Sequence, residues 1–82
     1  MKQRTLTYIK NFSAGEVIHL QDVYSHIYKH FPKECDDLGF TGKQVKEPRW
    51  KNEVRQGFHL AEYRGLIKHV DTTRNSQEWE RI

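Results

Sequence analysis

The stretch that decides the fold is residues 47–70, EPRWKNEVRQGFHLAEYRGLIKHV. Apolar side chains recur in it at the spacing of one helical face, which comprises Trp50, Val54, Phe58 and Ala61. Pro48 suits the first turn of a helix, because its missing N–H would have no partner there. Gly65 is a typical helix stop. The pattern predicts a helix over residues 48–64 that runs directly into a strand over residues 66–70.

The opposite face of this predicted helix is polar and basic. It carries side chains that can pair with base edges or phosphates, namely Lys51, Asn52, Arg55, Gln56 and His59. An ordinary solvated helix face also favours these residue types, and this is the alternative interpretation. Lys43, Lys46 and Arg49 precede or open the helix and are candidates for phosphate contacts. A basic loop that keeps the protein in solution would have the same composition.

Two further helices are predicted before this stretch. Apolar positions at helical spacing predict one helix over about residues 2–12 and another over about residues 21–31, which Pro32 ends. The β-branched segment 16–20 between them can form a small strand or an extended start of the second helix. Residues 32–47 contain two glycines and alternating charges, and they predict a long loop that could include a short helical turn.

The C-terminal residues predict a β-hairpin. Residues 78–82, EWERI, alternate polar and apolar side chains, as a half-buried strand does. Together with the turn-rich segment 71–77, they predict a hairpin over residues 66–82. Its tip holds Thr73, Arg74 and Asn75, which are candidates for contacts with the DNA backbone or minor groove, although a simple polar turn would look the same.

The predicted elements follow the order of a winged helix-turn-helix. Three helices, a short strand and a C-terminal two-stranded hairpin wing make an α+β domain that would occupy residues 1–82 as a single unit. In this architecture the third helix enters the major groove and the wing lies against the flanking backbone.

The run Pro48-Arg49-Trp50-Lys51-Asn52-Glu53-Val54-Arg55, with Gly65-Leu66-Ile67 and Trp79 after it, resembles the winged-helix domain at the N-terminus of Mrr-type restriction endonucleases. The resemblance covers residues 47–82 and extends to the first half only through element order. It implies a DNA-reading module whose recognition helix carries Arg49, Lys51, Asn52 and Arg55. The sequence departs from that family at Gln56-Gly57, where the family has an aromatic residue and an alanine. The nuclease portion is also missing, so the resemblance implies no catalysis.

Charge is unevenly distributed along the chain. Residues 1–40 hold five Lys/Arg and five Asp/Glu, whereas residues 41–82 hold nine against six, so the whole net charge of +3 lies in the second half. This excess predicts salt-sensitive binding to DNA that is weak for a monomer. A homodimer on a two-fold site is the usual way to gain affinity.

Several classes of protein are disfavoured by the sequence. No apolar run approaches the roughly 20 residues that span a membrane, and neither a signal peptide nor an intramolecular disulfide is indicated, which favours a cytoplasmic protein.

Four residues have the spacing of zinc ligands, namely His26, His30, Cys35 and Asp36. No second cysteine accompanies them, so surface histidines are favoured and no cofactor is expected. No Glu-x-Lys nuclease cluster, phosphate-binding glycine loop or nucleophile elbow occurs, so the chain is not expected to be an enzyme.

The sequence therefore predicts a small protein that binds double-stranded DNA, as a phage or prokaryotic regulator or a restriction-related reader. The competing hypothesis is a protein-interaction module, in which Tyr24, Tyr28 and Tyr63 would form the contact surface. RNA binding or modified-base sensing is a third hypothesis, but the sequence shows no RNA-specific signature such as aromatic side chains exposed on a sheet.

Three residues of the predicted helix and hairpin are assigned to packing. Gly57 costs a helix about 1 kcal/mol relative to alanine, and by helical phase it lies on the buried side. We expect another helix to approach closely there. Trp50 and Trp79 could stack on bases, but both fall among apolar neighbours and are expected in the core.

Overall fold

Four helices and five short strands make up the residues that this computed structural model describes, which are 1–42, 46–70 and 77–82. The helices are α1 (Lys2–Lys10), α2 (Leu20–His30), α3 (Pro32–Asp37) and α4 (Arg49–Tyr63). The strands are β1 (Val17–His19), β2 (Phe40–Thr41), β3 (Glu47–Pro48), β4 (Ile67–His69) and β5 (Glu78–Arg81). The protein is thus an α+β domain, as predicted.

The prediction of three helices is wrong, because α3 forms within the segment predicted as a loop. Pro32 ends α2 and also occupies the first turn of α3, where a residue without an N–H is tolerated. Further along the same segment, β2 pairs with β3 in an antiparallel ladder that aligns Phe40 with Pro48. Pro48 consequently has extended backbone geometry (ψ 124°), and α4 begins one residue later than predicted.

A three-stranded antiparallel sheet has the order β1-β5-β4. The predicted C-terminal hairpin strands are confirmed, since β4 pairs with β5 and places His69 opposite Trp79. The predicted strand at residues 16–20 is also present, and it pairs with the other edge of β5, with Ile18 opposite Trp79. Trp79 therefore lies on the central strand of the sheet.

The core lies between α1, α2, α4 and one face of this sheet. Its fully buried side chains include Leu6, Ile9, Val23, Ile27, Val54 and Phe58. Trp50 and Trp79 are both 7% exposed, so their predicted place in the core is confirmed. Trp79 packs on Phe58 with ring centroids 4.4 Å apart, which joins the sheet to α4.

The close approach predicted at Gly57 is also confirmed. The side chain of Thr5 on α1 faces Gly57 so closely that a Cβ atom built on the glycine would lie 2.8 Å from the Cβ of Thr5. Because α1 and α4 form the most extensive helix–helix contact, this glycine governs the packing of the domain.

Candidate nucleic-acid interface

The face of α4 that points away from the core presents a row of polar side chains. Successive helical residues are rotated by about 100°, and the buried face is formed by Trp50, Val54, Gly57, Phe58 and Ala61. Asn52, Gln56 and His59 lie on the opposite side, where Gln56 and His59 are exposed and Asn52 is partly buried. Gln56 Nε2 donates a hydrogen bond to Asn52 Oδ1 at 3.0 Å, so the two amides lie side by side. The structure thus brings three of the predicted base-contacting residues together.

Arg55, a fourth predicted base contact, lies on the flank of α4 and is bound to other parts of the protein. Its guanidinium forms a two-point ion pair with Glu47 on β3, in which Nη2 donates to Oε2 at 2.8 Å and Nη1 donates to Oε1. Nη1 also donates to the hydroxyl of Tyr24 on α2, at 3.1 Å. Arg55 therefore connects α4 with β3 and α2, and binding to a base would require it to leave Glu47.

The pKa values of this ion pair move in opposite directions. The hydrogen bond from Arg55 lowers the pKa of Glu47, and desolvation opposes that change only in part. The hydrogen bond to Glu47 raises the pKa of Arg55, which is charged at any physiological pH in either case. Both groups are therefore ionised in the folded protein at neutral pH, and the bidentate geometry is the favourable one for this pair.

The side chains predicted to contact phosphates differ in exposure and in their surroundings. Arg49 and Lys46 have exposed side chains at the start of α4, where the backbone N–H of Arg49 donates to the carbonyl of Gly39 at 2.9 Å. Lys51 is half-buried, and its Nζ lies 5.3 Å from the centroid of the Tyr24 ring and 5.7 Å from that of Trp50. The predicted contacts at Lys43, Thr73, Arg74 and Asn75 lie outside the described residues.

Glu62 ties the hairpin to α4, a role that the sequence analysis missed. Its Oε1 accepts a hydrogen bond from Trp79 Nε1 at 2.6 Å and lies 3.7 Å from Nδ1 of His69. Glu62 lies seven residues after Arg55, which is two helical turns, and therefore on the same flank of α4. The sequence could have shown through this phase relation that Arg55 and Glu62 share a flank, whereas the partners of that flank lie on other elements and become visible only in the structure.

A pocket beside the first turn of α4 also escaped the sequence analysis. It has a volume of about 530 Å³ and is lined by aromatic side chains of three different elements, Tyr28, Phe40 and Trp50. Phe40 is 64% exposed. The pocket was missed because Phe40 fell in the predicted loop, whose sequence shows no periodicity from which a position on a surface could be deduced.

The prediction that three tyrosines form a contact surface for a protein partner is wrong for Tyr24. Tyr24 is 8% exposed, because it packs edge-on against Trp50 with ring centroids 5.6 Å apart. Tyr28 and Tyr63 are exposed at 44% and 89%. Tyr24 therefore contributes its hydroxyl to Arg55 and no contact surface.

Two of the four residues with zinc-like spacing, His26 and Cys35, are engaged in packing, whereas His30 and Asp36 are exposed. His26 stacks on Tyr8, with ring centroids 3.8 Å apart, and its pKa is lowered by desolvation and by the neighbouring charges of His30 and Lys29. Cys35 is buried, and this burial raises the pKa of its thiol. Within residues 1–42, 46–70 and 77–82, no three His, Cys, Asp or Glu side chains are grouped so that they could hold a metal ion.

Comparisons of the chain with profiles of known protein families, with curated proteins and with solved structures find no match. None of the helices in the described part of the chain has the length and hydrophobicity needed to cross a membrane. Within the described residues, the polar row on α4 and the aromatic pocket beside its first turn are therefore candidate sites.

Proposed function

We propose that the protein binds double-stranded DNA, with α4 in the major groove and the β4–β5 hairpin as a wing beside it. The observation that carries this proposal is the polar row of Asn52, Gln56 and His59 on the side of α4 opposite the core, in which Gln56 and His59 are exposed and Asn52 is partly buried. The helix has 15 residues and is about 22 Å long. A helix of this kind fits the major groove, whose width is about 12 Å.

The arrangement of the elements supports a winged helix. The order α1-β1-α2, then α4 and the β4–β5 hairpin, matches that architecture, with α3 and the β2–β3 ladder as additions between the second helix and the recognition helix. Glu62 links the hairpin to α4 through Trp79 and so fixes the position of the wing relative to the helix. The resemblance to Mrr-type winged-helix domains adds to this proposal on the residues already quoted.

The side chains on α4 suggest distinct roles at the DNA surface. The amides of Asn52 and Gln56 can each pair with adenine, and their mutual hydrogen bond keeps the two side chains next to each other. Arg49 and Lys46, at the N-terminal end of α4, would bind phosphates together with the positive end of the helix dipole.

Arg55 has a positioning role in this proposal. Its ion pair with Glu47 and its bond to Tyr24 hold α4 against β3 and α2, and these contacts would be lost if Arg55 turned to a base. Replacing Arg55 would then weaken DNA binding through the orientation of the helix. Arg49 and Gln56 are the more direct probes, because both side chains are exposed.

The biological setting proposed from the resemblance is a cytoplasmic regulator or restriction-related reader. A homodimer on a two-fold site would suit a domain with a net charge of only +3. The DNA fragments used in the experiment below should therefore be long enough to hold two half-sites, whose centres lie about 34–36 Å apart.

The test is fluorescence anisotropy with a labelled random-sequence duplex at about 50 and about 200 mM salt. The two phosphate contacts proposed for each bound protomer, Lys46 and Arg49, would weaken its binding by about 12-fold between these concentrations. Arg49→Ala is expected to lower the affinity and to reduce the slope of log affinity against log salt by about 0.9. Lys10→Ala, which removes an exposed cation from the last turn of α1, is the control for net charge.

Two outcomes would contradict the proposal. One is a folded protein that does not bind the duplex even at low salt. The other is an equal effect of Arg49→Ala and Lys10→Ala, which would mean that only net charge matters. In the first case a protein partner becomes the better hypothesis, and Tyr63, the most exposed large aromatic residue described, would be the first side chain to truncate.

A further inference from the structure

The pocket beside α4 combines stacking surfaces with a cation. The Tyr28 and Trp50 rings are stacked, with centroids 5.6 Å apart and planes inclined by 29°. Phe40 lies on the same pocket from β2, and Lys51 contributes to its wall from α4. Trp50 is buried, so the accessible aromatic faces belong to Phe40 and Tyr28. A volume of about 530 Å³ lies within the range of about 300–1,000 Å³ that is usual for sites of small organic groups.

Phe40 is not explained by packing. It lies on a two-residue strand and leaves most of its side chain in water, although β2 already pairs with β3 through the backbone. An exposed aromatic ring grouped with a second aromatic ring beside a cavity is typical of a binding site, whereas single exposed apolar residues are common on any surface. Phe40 and Tyr28 are such a group, since both line the pocket.

The pocket carries one positive and one negative side chain beside its aromatic rings. Lys51 already lies over the rings of Tyr24 and Trp50, so at that wall its ammonium would repel a cationic ligand such as a methylated ammonium. A planar aromatic group attached to a phosphate would stack on the rings of Phe40 and Tyr28 and bind the ammonium of Lys51. Asp36, whose Oδ1 accepts a hydrogen bond from the Tyr28 hydroxyl at 3.3 Å, offers an acceptor for an exocyclic amino group.

The position of the pocket relates it to the proposed DNA-binding helix. Lys51 and Trp50 belong to the first turn of α4, and Pro48 directly before the helix also lines the pocket. Arg49 and Lys46, the proposed phosphate contacts, are exposed at the same end of the helix. DNA bound by those two side chains would therefore pass close to the pocket.

We infer that this pocket accepts one unstacked nucleobase of the bound DNA, which stacks on Phe40 and Tyr28 while Lys51 binds an adjacent phosphate. The inference rests on the proposed function, because α4 must bring the DNA to the pocket. A base enters such a pocket most readily where it is unpaired or mismatched, since less pairing energy is then lost. The site would thus give the protein a preference for DNA that contains an unpaired base.

The experiment uses two labelled duplexes that are identical except for one bulged 2-aminopurine. Anisotropy gives both affinities, and 2-aminopurine emission changes when the base leaves its neighbours in the DNA and enters the pocket. The wild-type protein is expected to bind the bulged duplex at least about fivefold more tightly, which is the lower end of the effect of one base–aromatic stack. Phe40→Ala should abolish both the preference and the change of emission, and it should leave binding to the paired duplex unchanged.

Two variants serve as controls. Phe40→Trp keeps a stacking surface and should keep the preference for the bulged duplex. Tyr63→Ala removes an exposed aromatic ring that does not line the pocket, and it should also keep the preference. Because Phe40 is largely exposed, its truncation should leave the far-ultraviolet circular dichroism spectrum unchanged.

The possible outcomes separate this inference from the proposed function. Equal affinity for both duplexes, or a preference that survives Phe40→Ala, would overturn the base pocket and leave DNA binding by α4 intact. Failure to bind either duplex would overturn both. Binding to the bulged duplex alone, with loss on Phe40→Ala, would overturn the proposed role of α4 in the major groove and the inference that rests on it, and would leave only a stacking site for an unpaired base.

Discussion

Gly57 sets the distance at which α1 and α4 can pack, so Gly57→Ala tests the packing directly. The new Cβ would lie 2.8 Å from the Cβ of Thr5, 2.9 Å from its Cγ2 and 3.2 Å from the carbonyl oxygen of Lys2. Thr5 is fully buried and its hydroxyl donates to the carbonyl of Met1 at 2.8 Å, which holds its rotamer. Because a fixed side chain and a backbone atom form these contacts, the two helices would have to separate.

Two opposing effects decide the magnitude. Alanine is favoured over glycine inside a helix by about 1 kcal/mol, whereas overpacking a core costs about 1–3 kcal/mol. The fixed surroundings of Gly57 place the packing cost in the upper half of that range. We therefore expect Gly57→Ala to lower the free energy of unfolding by about 1–2 kcal/mol, and to lower Tm by about 5–15 °C in a domain of this size.

Urea unfolding followed by tryptophan fluorescence measures this change, since Trp50 and Trp79 are both buried. Gln56→Ala is the matched control, because it places an alanine on the exposed face of the same helix. Adding Thr5→Ser to Gly57→Ala removes the contact between the new Cβ and Cγ2 of Thr5, and it should restore part of the lost free energy of unfolding. A Gly57→Ala protein as stable as the wild type, or more stable, would refute the argument from packing.

Two further predictions concern the pH dependence of stability. Because the hydrogen bond from Arg55 lowers the pKa of Glu47, this pair stabilises the fold above the unfolded pKa of about 4.5, and the contribution is lost as pH falls through the lower folded pKa. Glu47→Gln should lower the free energy of unfolding by less than about 1 kcal/mol at pH 7. It should also make the free energy of unfolding, measured with urea, depend less on pH below 4.5. An unchanged pH dependence would contradict the ion pair. Burial and the charges of His30 and Lys29 lower the pKa of His26, so the unfolded chain binds a proton more readily and stability falls as pH drops below 6.5. His26→Gln should reduce that fall in the same assay, and a fall of wild-type size would show that His26 does not cause it.

The elements with regular periodicity were predictable from the sequence. The apolar positions of α4 repeat at helical spacing, and Gly65, with a φ of +74°, ends the helix region as expected. The β4–β5 hairpin followed from alternation around Trp79. Residues 32–42, by contrast, form α3 and β2 without a clear pattern, because their structure depends on Cys35 packing into the core and on β2 meeting β3.

The candidate site shows the same division between local pattern and tertiary contact. Helical phase alone places Asn52, Gln56 and His59 in one row opposite the core, and the structure has them there, with Asn52 partly buried. The same phase places Arg55 about 60° away from Asn52, on the flank where Glu47 and Tyr24 meet it. Glu47 lies on a strand outside the helix, so no helical period could have indicated this ion pair.

The contacts of Arg55 and Lys51 have a common consequence for both proposals. Arg55 binds the Tyr24 hydroxyl while Lys51 lies over the Tyr24 ring, so one residue of α2 helps to fix the first half of α4. Trp50, which lines the aromatic pocket, packs on the same tyrosine. A substitution at Arg55 would therefore disturb the polar row and the pocket together, and a loss of DNA affinity there would not identify a base contact. Gln56 and Phe40 are exposed and lie outside this cluster, so their substitutions separate groove binding from base stacking.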